Sequence, residues 1–160
     1  MLDFSKFYND IYFIYALFKE NYLKTDDIKK IADKLVIYDD NKYLIDILIS
    51  ENNDDVITLF DSYLKDKNIY VKDLKIEITK KIFGYILNKE IQMKDGIDFI
   101  HYQVEASSKY KKYVGDDLGI EKILSNYFLI DDGDVTDEKE VQKIIQEILL
   151  EMKKYIKQYD

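Results

Sequence analysis

The feature that most constrains the fold is a recurring unit, in which small polar or acidic residues precede apolar residues at helical spacing. Such clusters begin at Thr25, Asp39, Asn52 and Thr136. Side chains of these types cap helix N-termini, and carboxylates in the first turn interact favourably with the helix dipole. Apolar residues at i, i+3 and i+4 form a face that must be buried against another helix. The pattern therefore predicts short helices that pack as antiparallel neighbours.

The chain as a whole predicts an all-α fold, a bundle of about seven to eight short amphipathic helices. A length of 160 residues favours a single domain over residues 1–160. The opening segment, Phe4–Leu23, predicts one helix that is apolar around most of its girth, and Asp95-Gly96 predicts a turn. Residues 71–87 contain a short strand-like alternation within a longer helical pattern, and the longer pattern favours a helix.

Composition excludes several classes of function. The chain has no cysteine, and all 24 of its basic residues are lysine. Without cysteine there is no disulfide or thiolate metal site, which fits a cytoplasmic location. A net charge of −8 without arginine opposes nucleic-acid binding and favours a basic protein partner, or simply solubility. The longest apolar run, Ile11–Phe18, is too short to span a bilayer, so we expect a soluble protein without membrane contact.

Candidate chemical sites fail on spacing or on missing partners. His101 and Glu105 have the i, i+4 spacing of a metal-ligand pair, but the chain offers no second histidine or cysteine to complete a zinc site. The run Asp131–Asp134 lacks the alternating acids of a calcium loop, and Gly115–Gly119 lacks the third glycine of a dinucleotide fingerprint. We therefore expect no catalytic residues, no metal and no cofactor, and a protein that is not an enzyme.

What remains is a candidate surface for binding a protein. Between residues 95 and 140 there are twelve acids and five lysines, a net charge of −7, interleaved with tyrosines. Tyrosine supplies a large contact area with a polar tip, and carboxylates complement a basic partner. The alternative is that these tyrosines pack in the core while the acids cap helices. The candidate partner-binding residues are Tyr102, Glu105, Tyr110, Tyr113, Asp116, Asp117, Glu121, Asp131, Asp132 and Asp134.

The segments Lys112–Leu124 and Ile130–Asp134, with the acidic helices around them, resemble the small acidic immunity proteins that bacteria pair with toxins. The resemblance covers about a third of the chain and assigns no individual functional residue. It implies a cytoplasmic, non-catalytic binding module that neutralises a cognate toxin. The toxin would be a basic protein, often a nuclease, inhibited by occlusion of its active site.

Two other functions remain open from the sequence. A phage or mobile-element protein that mimics nucleic acid and inhibits a host nuclease would present carboxylates in the same way. A structural protein could instead use the aromatic first helix or the last helix as an oligomer interface, and the oligomeric state is not fixed by the pattern.

Overall fold

The computed structural model describes residues 2–105 and 119–160. These residues form eight α-helices, a 3₁₀-helical turn at Phe4–Phe7 and a π-helical turn at Ile100–Glu105, and they contain no strand. The all-α prediction and the predicted number of helices are confirmed. The α-helices are α1 Ile11–Lys19, α2 Thr25–Leu35, α3 Lys42–Ile49, α4 Asn53–Asp66, α5 Leu74–Leu87, α6 Met93–Phe99, α7 Glu121–Asp131 and α8 Glu138–Gln158.

The helices are grouped in two compact units. The N-terminal unit is Asp3–Glu77 and the C-terminal unit is built on Ile78–Asp160, so the division falls within α5. The organisation of the whole chain as a single domain stays a prediction.

Side-chain caps begin several helices where the polar clusters predict them. Asn41 caps α3 by accepting a hydrogen bond from the backbone N–H of Tyr43, at 2.9 Å. Asn52 caps α4 and accepts from the N–H groups of Asp54 and Asp55, at 2.9 and 3.3 Å. The N-cap residues of α2 and α8 each lie one position away from the threonines at which the sequence clusters begin, Thr25 and Thr136.

The cap of α2 is Lys24, whose backbone N–H donates to the Asp27 side chain at 2.9 Å. The cap of α8 is Asp137, which accepts from the N–H of Glu140 at 3.0 Å. In both cases a carboxylate of the cluster is the acceptor: Asp27, in the first turn of α2, accepts from the N–H of Lys24, and Asp137 accepts from the first turn of α8.

The prediction of one helix over Phe4–Leu23 is wrong. Asp3 caps the 3₁₀ turn and Asp10 separately caps α1, accepting from the N–H of Phe13 at 3.3 Å. Two competing caps within one apolar segment favour two short helices over one long helix. Helix α1 then ends before Asn21, which has a positive φ of 63°.

Helix α1 is central to the core of the N-terminal unit, as its apolar girth predicts. Phe18 packs edge to face against Phe60 of α4, with ring centroids 5.0 Å apart. The fully buried side chains of this core are Phe13, Ile14, Ala16, Leu17, Ile28, Ile31, Ala32, Leu44, Ile47, Val56 and Phe60.

Residues 74–87 form helix α5 in agreement with the longer of the two sequence patterns. In the C-terminal unit, Phe83 of α5 packs edge to face against Tyr155 of α8 at 5.2 Å. The other buried apolar side chains of this core include Ile78, Ile82, Ile86, Ile97, Ile100, Ile123, Leu124, Ile148 and Met152.

The turn predicted at Asp95-Gly96 is wrong, because Gly96 lies inside α6 and is buried. A Cβ at this position would lie 2.6 Å from Cδ1 of Ile86 and 3.0 Å from Cγ2 of Ile82. The glycine is therefore present for the close approach of α6 to α5, not for a turn.

Among the described helices, none combines the length and the apolar character needed to cross a membrane.

Candidate protein-binding surface

The candidate surface is organised around the π-helical turn Ile100–Glu105, which directly follows α6. Within this turn the Tyr102 side chain is 59% exposed, while Ile100 and Val104 are buried. His101 Nδ1 lies 3.1 Å from Oε2 of Glu105, and this contact fixes the imidazole on the same turn. Single π-helical turns are rare and occur frequently at functional sites.

A continuous set of ring contacts joins the π-helical turn to α7. The His101 ring packs against Tyr102 at 4.6 Å and against Phe128 of α7 at 5.1 Å, both edge to face. Phe128 in turn contacts Tyr127 at 5.5 Å. The exposed Tyr102 therefore rests on a packed aromatic base, which lowers the entropy lost when a partner contacts it.

The same ring contacts lead to the acidic end of α7. The Tyr127 hydroxyl donates a long hydrogen bond to Asp131, at 3.4 Å. Burial, and secondly the charges of Asp98 and Asp131, raise the pKa of Tyr127 above its usual value. Tyr127 is only 6% exposed, so this tyrosine belongs to the core and not to a binding surface.

Lys94 of α6 partly neutralises this acidic end. Its ammonium lies 3.0 Å from Asp98 and 3.5 Å from Asp131. The hydrogen bond to Asp98 is the main reason that the pKa of Lys94 is raised above its usual value. Asp131 therefore has two internal contacts, and its carboxylate is less available to a partner than those of its neighbours.

Asp132 and Asp134 are exposed on either side of Gly133. Gly133 has a positive φ of 75°, which terminates α7 and which glycine adopts without strain. The acids that suggested a calcium loop in the sequence thus stand at a helix end and point to solvent. Glu121 is also exposed, but it lies at the other end of α7, about 15 Å away along the helix axis.

A series of side-chain contacts through His101, Phe128 and Tyr127 connects Tyr102 and Glu105 with Asp131. Asp132 and Asp134 follow Asp131 in the sequence. We call Tyr102, Glu105, Asp131, Asp132 and Asp134 the acidic–aromatic surface. Glu121 does not belong to it. The remaining candidates, Tyr110, Tyr113, Asp116 and Asp117, lie outside the described residues.

Two contributors to this surface, the ring of His101 and the ammonium group of Lys94, were missed from the sequence. The His101–Glu105 spacing pointed to a metal pair, but the ring serves as the link between Tyr102 and Phe128. Lys94 lies 37 residues from Asp131 in sequence, so only the tertiary fold shows that they meet. Among the described residues there is no group of three His, Asp or Glu side chains placed to hold a metal ion.

The fold and the surface define a small protein that is all-α over its described residues, with an exposed tyrosine that ring contacts join to the acidic end of α7. Comparisons with protein-family models, with catalogued proteins and with solved structures find no match to it.

Proposed function

We propose that the protein is a non-catalytic binding module that neutralises a basic protein partner, in the manner of an immunity protein that occludes the active site of its toxin. The observation that carries this proposal is the exposed Tyr102 ring, which packs against His101 and is joined through Phe128 and Tyr127 to the acidic end of α7. A rigid aromatic anchor with a charged rim is the usual composition of an interaction hot spot.

The electrostatic character of the surrounding chain supports a basic partner. Between residues 119 and 140 there are seven acids and two lysines, a net charge of −5. Carboxylates in such an arrangement accelerate association with a basic protein and discriminate against acidic ones. Asp132 and Asp134 are the most accessible of these charges on the acidic–aromatic surface, because Asp131 is engaged by Lys94 and Tyr127.

The arrangement of Tyr102 favours a protein partner over mimicry of nucleic acid. A mimic would present carboxylates in place of phosphates, whereas here the surface includes an exposed aromatic ring and a lysine compensates one of the acids. A tyrosine anchor is typical of protein–protein interfaces.

The first test is capture of partners from the source organism with the tagged protein, followed by co-expression with each captured gene. We expect a basic protein that binds with 1:1 stoichiometry and whose toxicity the chain suppresses. Failure to recover any basic partner, or recovery without suppression of toxicity, would contradict the proposal.

The second test locates the interface. We expect Tyr102→Ala to weaken binding at least tenfold, about 1.4 kcal/mol, because it removes the anchor. The matched control is Tyr70→Ala, since Tyr70 is 69% exposed in the N-terminal unit. The double variant Asp132→Asn/Asp134→Asn should slow association, with Asp40→Asn/Asp46→Asn as the control at exposed acids of the N-terminal unit. Equal losses in variant and control would place the interface elsewhere.

A further inference from the structure

A second candidate site lies in the C-terminal unit and is independent of the proposed function. A cavity of about 670 Å³ opens between the end of α5, the connection to α6 and one side of α8. Its volume is in the range of sites that bind small molecules, roughly 300–1,000 Å³. Its apolar lining consists of Ile86, Leu87, Ile91, Met93, Leu149 and Leu150.

One wall of the cavity is a stripe of α8 that the core does not use. Gln146, Leu149, Leu150 and Lys153 follow the spacing i, i+3, i+4 and i+7, so they lie on one face of the helix. The buried residues of α8 belong to another stripe, which consists of Ile144, Ile148, Met152 and Tyr155. Leu150 is 53% exposed although it is a large apolar residue in the middle of a helix. The cavity thus offers apolar surface that packing within the unit leaves open.

The polar lining of the cavity has the opposite charge to the chain as a whole. It consists of two lysines, Lys89 and Lys153, and two glutamines, Gln92 and Gln146, without a carboxylate. Among the described residues, neither lysine forms an ion pair with an acid. Both lysines are exposed, so their ammonium groups are accessible to an anionic group at the apolar cavity.

The backbone at Lys89 supports a role for this side chain. Three helices end in the same way, each with one residue in the left-handed conformation. The backbone N–H of the next residue then donates to the carbonyl of the residue five positions before it. The left-handed residues are Asn21, Asn68 and Lys89. Glycine and asparagine suit this conformation, whereas lysine adopts it at a cost. Lys89 has a φ of 61° and faces the cavity. Its ammonium group gives a reason for a lysine to stand where the other two helix ends have asparagine.

We propose that this cavity binds a small amphiphile, an unbranched apolar chain that ends in a single anionic group such as a carboxylate. The isoleucine, leucine and methionine side chains would enclose the chain, while Lys89 and Lys153 bind the anionic head and the glutamines donate hydrogen bonds to it. The limited volume and the presence of only two cations match one chain with one head group, rather than an extended protein segment.

The first test is isothermal titration with three probes that share a ten-carbon chain: decanoate, decyl sulfate and decyltrimethylammonium. We expect at least one anion to bind 1:1 with a dissociation constant below roughly 1 mM, and the cation at least tenfold more weakly. A net charge of −8 would by itself favour the cation, so an anion preference must come from the cavity. The preferred anion identifies the head group. Affinity should rise roughly fourfold per added methylene from octanoate to decanoate.

The second test assigns the head-group residues. We expect Lys153→Gln and Lys89→Asn each to weaken binding of the anion at least fivefold, since charged hydrogen bonds contribute about that much. Lys89→Asn should also raise the melting temperature, because asparagine is better suited to its backbone. The matched control is Lys154→Gln: Lys154 follows Lys153 in sequence but pairs with Glu151 at 3.1 Å and does not line the cavity.

Three outcomes would overturn the proposal. The first is equal binding of decanoate and decyltrimethylammonium. The second is an equal effect of Lys153→Gln and Lys154→Gln on binding of the anion. The third is the absence of binding by both anions. A concentration-dependent dimer that Leu150→Glu abolishes, or preferential binding of an acidic amphipathic peptide, would then identify the occupant of the cavity. Because the cavity residues are separate from the acidic–aromatic surface, failure here leaves the proposed function untouched.

Discussion

At the scale of single residues, two glycines in helices have opposite roles. A Cβ on Gly84 of α5 would meet only Cδ1 of Ile156, at 4.0 Å, which is an ordinary contact. A Cβ on Gly96 of α6 would meet Ile86 and Ile82 at 2.6–3.1 Å. Cγ1 of Ile86 and Cγ2 of Ile82, at 3.1 and 3.0 Å, lie next to the stiff χ1 bonds of buried β-branched side chains, so these two atoms cannot easily move away.

We therefore predict that Gly84→Ala raises the free energy of unfolding by about 0.5–1 kcal/mol, because alanine has the higher helix propensity and the space is open. Gly96→Ala should lower it by about 1 kcal/mol or more, since overpacking outweighs the same gain in propensity. Urea denaturation of the two variants and the wild type measures both changes. A stabilising Gly96→Ala would show that the approach of α6 to α5 is less tight than the distances indicate.

For the candidate surface, the sequence predicts the chemical character of single residues but not which of them are buried or paired. The exposed positions of Tyr102, Asp132 and Asp134 agree with the expectation of a tyrosine and carboxylate surface. The burial of Tyr127 and the pairing of Asp131 with Lys94 do not follow from local pattern. Local sequence gives the chemical character of a side chain, whereas burial depends on which distant helix packs over it.

At the scale of helices, sequence reasoning succeeds where local hydrogen bonds decide the outcome. The caps at Asn41 and Asn52 involve N–H groups only two or three residues away, so the sequence predicts them directly. The break at Asp10 was missed because two local caps compete within one apolar segment. The π-helical turn at Ile100–Glu105 has no local signal in the sequence, and the contact of its His101 with Phe128 of α7 follows only from the tertiary fold.

An ion pair whose stabilising contribution depends on pH joins helices α1 and α4. The Asp61 carboxylate of α4 accepts a hydrogen bond from Lys19 of α1, and it lies 2.9 Å from Lys65 of its own helix. These lysines, Lys19 first, hold the pKa of Asp61 below its usual value of 3.8. A lowered pKa means that the folded state favours the ionised form, so the stabilisation is present above the usual value and is lost as the pH falls through the folded pKa.

We predict that Asp61→Asn lowers the free energy of unfolding by about 1 kcal/mol at pH 7. The difference from the wild type should shrink as the pH falls below the usual value of 3.8 and through the lowered pKa of Asp61, because the wild-type carboxyl is then protonated as well. Urea denaturation across this pH range measures the convergence, with Asp46→Asn at an exposed position of α3 as the control. A difference that stays constant down to pH 2 would show that the amide disturbs packing rather than charge.

At the scale of the whole molecule, the two candidate sites differ in the sign of their local charge. The chain carries 32 acids and 24 lysines, and the acidic–aromatic surface shares the sign of the net charge. The cavity beside α8 has the opposite sign, with two lysines and no acid in its lining. Long-range forces would therefore attract a basic partner to the acidic surface, but they would repel an anionic amphiphile that approaches the cavity. Binding at the cavity must depend on short-range contacts.

Ionic strength should therefore act differently on the two binding events. Raising the salt concentration from about 0.05 to 0.5 M shortens the screening length to a few ångströms. We predict that association with a basic partner slows at least tenfold, because steering acts over distances beyond this length. The affinity for decanoate should change less than about threefold, since weaker attraction to Lys89 and Lys153 is offset by weaker repulsion from the net charge of −8. Stopped-flow association and titration calorimetry at matched salt concentrations measure the two responses. A tenfold loss of decanoate affinity would show that long-range charge, and not apolar contact, dominates binding at the cavity.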